Sequence, residues 1–158
     1  MTEDVVRALG YLCLGTRMKR IGERLQADTQ EIIEAAGMGV FASQFPYLAA
    51  IDRLGPLTIG EIAEAVGVTQ PGATRTLAQL ADGGLVVLEQ TDADQRRKIA
   101  SLSEAGRHLV DEASRSVWPR IEQAVRDLCG TLDGPLLDQL AAIEDGLAAA
   151  SLARRDKS

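Results

Sequence analysis

Two groups of side chains in this 158-residue sequence could do chemistry, and in both cases it is recognition rather than bond making. The first group is Thr69, Gln70, Pro71, Ala73, Thr74 and Arg75. Short hydroxyls and free amides at a helix start suit anionic oxygens, while the amide of Gln70 and the guanidinium of Arg75 have the reach and forked geometry to address base edges. Gly72 and Ala73 lack bulk and allow a close backbone approach. The second group is Arg96, Arg97 and Lys98, three consecutive cations just behind the acidic stretch TDAD in a chain of formal net charge -6. Acid so near these cations lowers indiscriminate attraction to a polyanion, which favours dependence on fit and strong sensitivity to salt. Catalysis lacks comparable support, because the one histidine, His108, has no Ser or Cys partner discernible from spacing and no glycine loop cradles a phosphate.

Each group needs an element to aim it. Thr58-Ile59-Gly60-Glu61 is a capping-box sequence and predicts a short helix over Thr58–Val66. Gly67 can take the left-handed conformation that ends it, Val68 is expected to plug back into the core, and Thr69 caps a new helix from Gln70 to about Asp82. Two short helices joined by a tight turn form the helix-turn-helix pattern, whose second helix enters the major groove of DNA. The first group lies on the exposed face of that helix near its start. After Gly83 and Gly84, LVVLEQ reads as a strand, TDAD as a polar turn and RKIASLS as a returning strand anchored by Ile99 and Leu102. The hairpin Leu85 to Leu102 is then a wing. Strand alternation sends Arg97 and Lys98 to opposite faces, so at most one of them is expected to assist Arg96.

Longer helices flank this region. Val5, Leu9, Leu12, Ile21, Leu25 and Ile32 recur at helical spacing and predict one long helix from Glu3 to about Ala36. Gly37 and Gly39 interrupt it, and a second helix covers roughly Ser43 to Leu54, with Pro46 tolerable only in its first turn. Ser103 caps another helix whose apolar period runs from Leu109 to Leu128, and Pro119 predicts a kink near Trp118. Leu136, Leu140, Ile143 and Leu147 form a last apolar stripe.

The totals agree with one soluble globular domain: 46% hydrophobic and 25% charged residues, but only 3% aromatic, so burial must come mainly from aliphatic side chains. No apolar run approaches the roughly 18 to 20 residues that span a bilayer, and MTEDVVRALG lacks the basic start of a secretory signal, so a cytoplasmic protein without membrane attachment is expected. Cys13 and Cys129 stand far apart, which suggests neither a disulfide framework nor a zinc site; no metal and no cofactor are expected.

In order and spacing these pieces resemble the MarR family of bacterial transcription regulators. The matching features are Thr69, Thr74-Arg75, Leu77, Leu80, Gly84-Leu85-Val86, Asp94-Gln95-Arg96 and Leu102-Ser103-Glu104-Ala105-Gly106. The resemblance covers nearly the whole chain and implies a mainly α fold with a small β-hairpin wing (α+β), a winged helix-turn-helix flanked by long dimerisation helices. One domain over 1–158 would comprise dimerisation helices at 1–36 and 104–153 and a DNA-binding region at 43–102. It further implies a homodimer on a palindromic operator in double-stranded DNA, most simply a repressor released by a small molecule. Arg96 matches the family's wing arginine, implied to sit in the minor groove or against its phosphates, with Asp94 bracing its guanidinium.

Physical reasoning supports the dimer independently. A helix-turn-helix of this size binds specific DNA usefully when two copies present their second helices about 34 Å apart, and the apolar stripes at both ends exceed what a core around one small hairpin needs. The other readings are a monomer in which these helices cover the winged helix, and a winged-helix protein interaction module lacking its own operator. The family's effectors are commonly small aromatic or phenolic anions, drugs or oxidants. Tyr11, Met18, Phe41, Phe45 and Tyr47 are candidates to line such a pocket, although ordinary core packing also accounts for each. Cys13, between Leu12 and Leu14, is similar in place to the reactive cysteine of the organic hydroperoxide resistance subgroup. Gly15, Thr16 and Arg17 depart from the hydrophobic and aromatic residues expected after it, and a buried structural thiol is the alternative.

Overall fold

The computed structural model describes residues 1–91 and 94–149, and for 94–96 and 147 the backbone alone. The chain divides into two units, 1–121 and 122–158.

The first unit opens with helix α1 (Val5–Ala8), a 3-10 turn (Gly10–Cys13) and helix α2 (Leu14–Ala35). The single long helix expected here is broken because Gly10 adopts φ +56, a left-handed conformation that cannot continue a right-handed helix. Asp4 closes the start twice over. Its Oδ1 accepts from the Arg7 amide at 3.1 Å, and its two oxygens accept from both terminal nitrogens of Arg20 at 3.1 and 2.9 Å. A 3-10 turn (Ala42–Gln44) leads into α3 (Phe45–Leu54), where Pro46 occupies the first turn as expected. Gln30 of α2 ties the lead-in down: its Oε1 accepts from the Ala42 amide at 2.7 Å.

The capping residues then set the boundaries. Helix α4 (Ile59–Val66) starts at the predicted box, with Thr58 Oγ1 accepting from the Glu61 amide at 3.3 Å and Glu61 Oε2 accepting from the Thr58 amide at 2.8 Å. Gly67 ends it at φ 74, and the Val68 amide reaches back to the Ala63 carbonyl at 2.9 Å. Val68 does not plug into the core; it is 39% exposed, and Val66 takes the inward place instead. Helix α5 (Gln70–Asp82) follows with the predicted bounds.

Strands β2 (Val86–Thr91) and β3 (Asp94–Leu102) make the expected hairpin. A two-residue strand, β1 (Leu57–Thr58), adds to it unforeseen, giving an antiparallel sheet of order β1-β3-β2 with Leu57 opposite Ala100 and Thr58 opposite Ile99. This addition fastens the start of α4 to the wing. Val86 lies opposite Leu102, and the β2–β3 register becomes irregular between Gln90 and Thr91.

Helix α6 (Glu104–Ser116) ends at buried Val117, and α7 (Trp118–Cys129) begins one residue later. The interruption falls where Pro119 predicts it, since the proline nitrogen has no hydrogen for the carbonyl one turn back. Leu48, Ile51, Ile62, Leu77, Leu80, Ala100, Val110 and Val117 pack as one core under α3, α4, α5 and the sheet. Phe45 meets Trp118 edge to face at 5.7 Å. In the second unit, helix α8 (Leu136–Ala149) follows the break, and Leu128, Leu132 and Leu137 are exposed.

Candidate nucleic-acid interface

Helix α5 is aimed by its own sequence. Thr69 Oγ1 accepts from the Gly72 amide at 3.3 Å, and Ala73, Leu77 and Leu80 turn inward at steps of four and three, so the opposite face must point to solvent. That outer face carries Thr69, Gln70, Pro71, Thr74 and Arg75, all exposed. Ala73 is a correction to the predicted contact face. It is fully buried, because it begins the stripe that holds the helix to the core. Thr74 Oγ1 donates to the Gln70 carbonyl at 2.9 Å, so toward a ligand Thr74 offers oxygen lone pairs rather than its hydroxyl hydrogen.

The starts of both helices and the wing meet in a groove with a volume near 470 Å³, lined by Thr58, Ile59, Gly60, Gln70, Thr74, Arg97 and Lys98. Arg97 and Lys98 both line it, against the expectation that alternation would leave at most one on this side. A twisted strand and two long side chains make the difference. Two cations and a carboxamide around a concave surface supply the donors that a sugar–phosphate backbone requires. The side chains of Asp94 and Arg96, predicted to brace and to form the wing contact, lie outside the described residues.

Glu61 stands beside this groove. The Thr58 amide bonded to its carboxylate, then the Thr58 hydroxyl donating to the same oxygen at 2.8 Å, hold its pKa below the ordinary value; the Arg97 charge acts in the same direction. Thr58, Ile59 and Gly60 were not among the predicted site residues. Their signal was the capping box, which also marks where a helix presents its amides.

The wing is anchored through Ser103. Its Oγ donates to the Gly84 carbonyl at 2.6 Å and accepts from the Gly106 amide at 3.0 Å, while its own amide donates to the Leu85 carbonyl at 3.0 Å. Gly84-Leu85-Val86 and Leu102-Ser103-Glu104-Ala105-Gly106, separate in sequence, are thus one joint. Gly106 has to be glycine, since a Cβ there would overlap the Leu85 carbonyl oxygen.

The five candidate effector residues are not brought to one cavity. Phe45 and Tyr47 are 8% and 5% exposed within the core, whereas Tyr11 and Phe41 are 94% and 62% exposed and Met18 is partly exposed. Phe45 does line an open apolar groove of about 280 Å³ with Thr29, Ala42, Pro46, Ala49, Trp118 and Ile121. Cys13 is a half-buried free thiol at the end of the 3-10 turn. Among the described residues no group of His, Cys, Asp or Glu is placed to hold a metal ion, and no helix is long and apolar enough to cross a membrane.

Comparison with known proteins agrees with this geometry. A family model described as MarR family matches residues 39–97, from the lead-in of α3 to the wing. The HTH-type transcriptional regulator FarR of Neisseria gonorrhoeae is 29% identical over 129 residues, covering 79% of this chain and 86% of FarR. Other curated relatives, also HTH-type transcriptional regulators, are 36% or 39% identical over 77 or 71 residues, and the match spans about half of their length. A structure of Bordetella bronchiseptica BpsR, from work on regulation of its DNA binding by 6-hydroxynicotinic acid, superposes with a TM-score of 0.69 at 23% identity, covering 87% of this chain and 94% of BpsR. A mutant MarR from E. coli complexed with operator DNA gives a TM-score of 0.69 at 20% identity, covering 93% of this chain and 98% of that one.

Proposed function

Because this chain belongs to the MarR family of winged helix-turn-helix transcription regulators, we propose that it binds a specific operator through α5 and the wing. The observation that carries this reading is the groove in which Gln70 and Thr74 of α5 meet Arg97 and Lys98 of β3. In the proposed complex the outer face of α5 lies in the major groove, Arg75 and Gln70 address base edges, and the wing cations, Arg96 among them, follow the adjoining phosphates.

A homodimer on a palindromic site completes the proposal. Its support is the exposed apolar surface at Val5, Leu9, Leu12 and Ile21 in the first unit and, separately, at Leu128 and Leu137 in the second. A symmetric pairing removes such surface from water, and 1–36 and 104–153 are the proposed dimerisation segments. The protein would work in the cytoplasm as a repressor that a small aromatic or phenolic molecule releases, and the BpsR comparison supports an effector of that class. The apolar groove beside Phe45 and Trp118 is where we would seek it.

Titration of labelled duplex DNA with parent, Arg75→Ala and Arg96→Ala protein, at matched salt, tests the proposal. Arg96→Ala should weaken binding broadly with the dimer intact by light scattering, while Arg75→Ala should cost most on the preferred sequence. Equal affinities for all three proteins would remove both residues from the interface and favour a module that binds protein instead.

A further inference from the structure

An acid, Glu61, is bonded to a residue that lines the groove between α4, α5 and β3, a place where a DNA-binding surface has no need of one. Thr58, Ile59 and Gly60 form its edge, and Glu61 is hydrogen-bonded to Thr58 through both the amide and the hydroxyl, each at 2.8 Å. These bonds hold the carboxylate against Thr58, which lines the groove. The charge of Arg97, a wing-strand cation that lines the groove, acts on this carboxylate. A solvated side chain could swing away from an approaching phosphate. This one is fastened at the helix cap.

We propose that Glu61 limits affinity for the DNA backbone: its capped carboxylate opposes phosphates at the α4–wing groove, so that cationic attraction alone does not hold the protein on DNA of arbitrary sequence. The proposal rests on the reading of the groove as DNA-facing. A cation pair binds any phosphate backbone, whatever the bases, and that attraction is what a regulator must limit to leave non-operator DNA. A nearby fixed negative charge subtracts from it equally on every sequence. Operator and random DNA then differ by the base contacts of α5, which the carboxylate does not touch. The cap itself does not demand a charge, because glutamine at the third helical position closes a capping box equally well.

The test uses the full chain and two probes, a random-sequence duplex and the operator obtained by selection. Glu61→Gln should bind the random duplex about three-fold more tightly per subunit at low salt, as expected for removing one unit charge several ångströms from a phosphate in a mostly aqueous setting. The gain should shrink as salt shortens the screening length. Its melting temperature should stay near that of the parent. Gly60→Glu is the mirror variant: a Cβ at Gly60 meets nothing within 4 Å, an acid near a helix start is favoured, and random-duplex binding should fall several-fold. Glu64→Gln, an exposed acid further along the same helix, should change neither probe. Unchanged random-duplex affinity in both Glu61→Gln and Gly60→Glu would overturn the proposal, as would an equal gain in Glu64→Gln, which would show only an effect of net charge. Arg97→Ala separates this failure from a deeper one. If it weakens random-duplex binding while the Glu61 and Gly60 variants are silent, the role of Glu61 falls and the groove remains DNA-facing; if it too is silent, the groove does not face DNA.

Discussion

Replacing Gly106 by alanine sets two opposed effects against each other, and the joint between α6 and the wing decides the sign. In an exposed helix the change would stabilise by about 1 kcal/mol, because glycine is the poorer helix former. Here the added methyl would overlap the Leu85 carbonyl oxygen and lie 3.0 Å from its carbon and 3.4 Å from Leu102 Cδ2. Relief requires the first turn of α6 to move away from Leu85, which strains the Ser103 amide bond to the Leu85 carbonyl and the Ser103 bonds to Gly84 and Gly106. Overpacking of this kind costs about 1–3 kcal/mol, and a lost hydrogen bond or cap about 1 kcal/mol more. After the helix gain is subtracted, Gly106→Ala should destabilise by about 2 kcal/mol, a fall of roughly 4–8 °C in melting temperature for a chain of this size. Thermal unfolding followed by circular dichroism, at one protein concentration for both proteins, measures it. A melting temperature equal to or above that of the parent would show that α6 does not seat on the Leu85 carbonyl.

Other consequences follow from the same contacts. Leu77 is fully buried on the inner face of α5, so Leu77→Ala should cost about 2–5 kcal/mol in denaturant unfolding and weaken DNA binding only through the folded fraction. Ser103→Ala removes the cap of α6 and should cost about 1–2 kcal/mol, read in the same unfolding assay. Lys98→Ala should weaken binding uniformly across sequences and flatten the salt dependence by about one phosphate's share, which titration at several salt concentrations would show. The Thr58 bonds lower the Glu61 pKa below 4.5, so their contribution to stability is present above that value and is lost as pH falls through the folded-state pKa. Unfolding midpoints measured from neutral to acid pH should therefore fall less steeply in Glu61→Gln than in the parent.

Where local hydrogen bonds fix the backbone, the residues themselves announce it. Thr58 with Glu61, Gly67, Thr69 and Ser103 are terminators and caps, and α4, α5 and α6 begin at the places they mark. The outer face of α5 was legible too, apart from Ala73, whose small apolar side chain fits a solvent face or a tight core contact equally and reveals nothing until Leu77 and Leu80 are placed. Gly10 hid because the apolar period runs on across it, and periodicity is blind to one left-handed residue. Strand β1 is two residues long and exists only through its partners on β3, so no local pattern could encode it. The need for glycine at position 106 and the meeting of Thr58 with Arg97 and Lys98 are likewise long-range. In the same way, aromatic residues named singly as pocket candidates separate into core and surface once the helices pack.

Sequence-specific DNA binding through α5 and the wing can be measured by selecting bound sequences from random duplex DNA with the purified protein at controlled salt. Such a selection should yield a palindrome with half-sites about one helical turn apart, roughly 10 base pairs from centre to centre. Recovery of no enriched motif, from low salt through moderate salt, would contradict it.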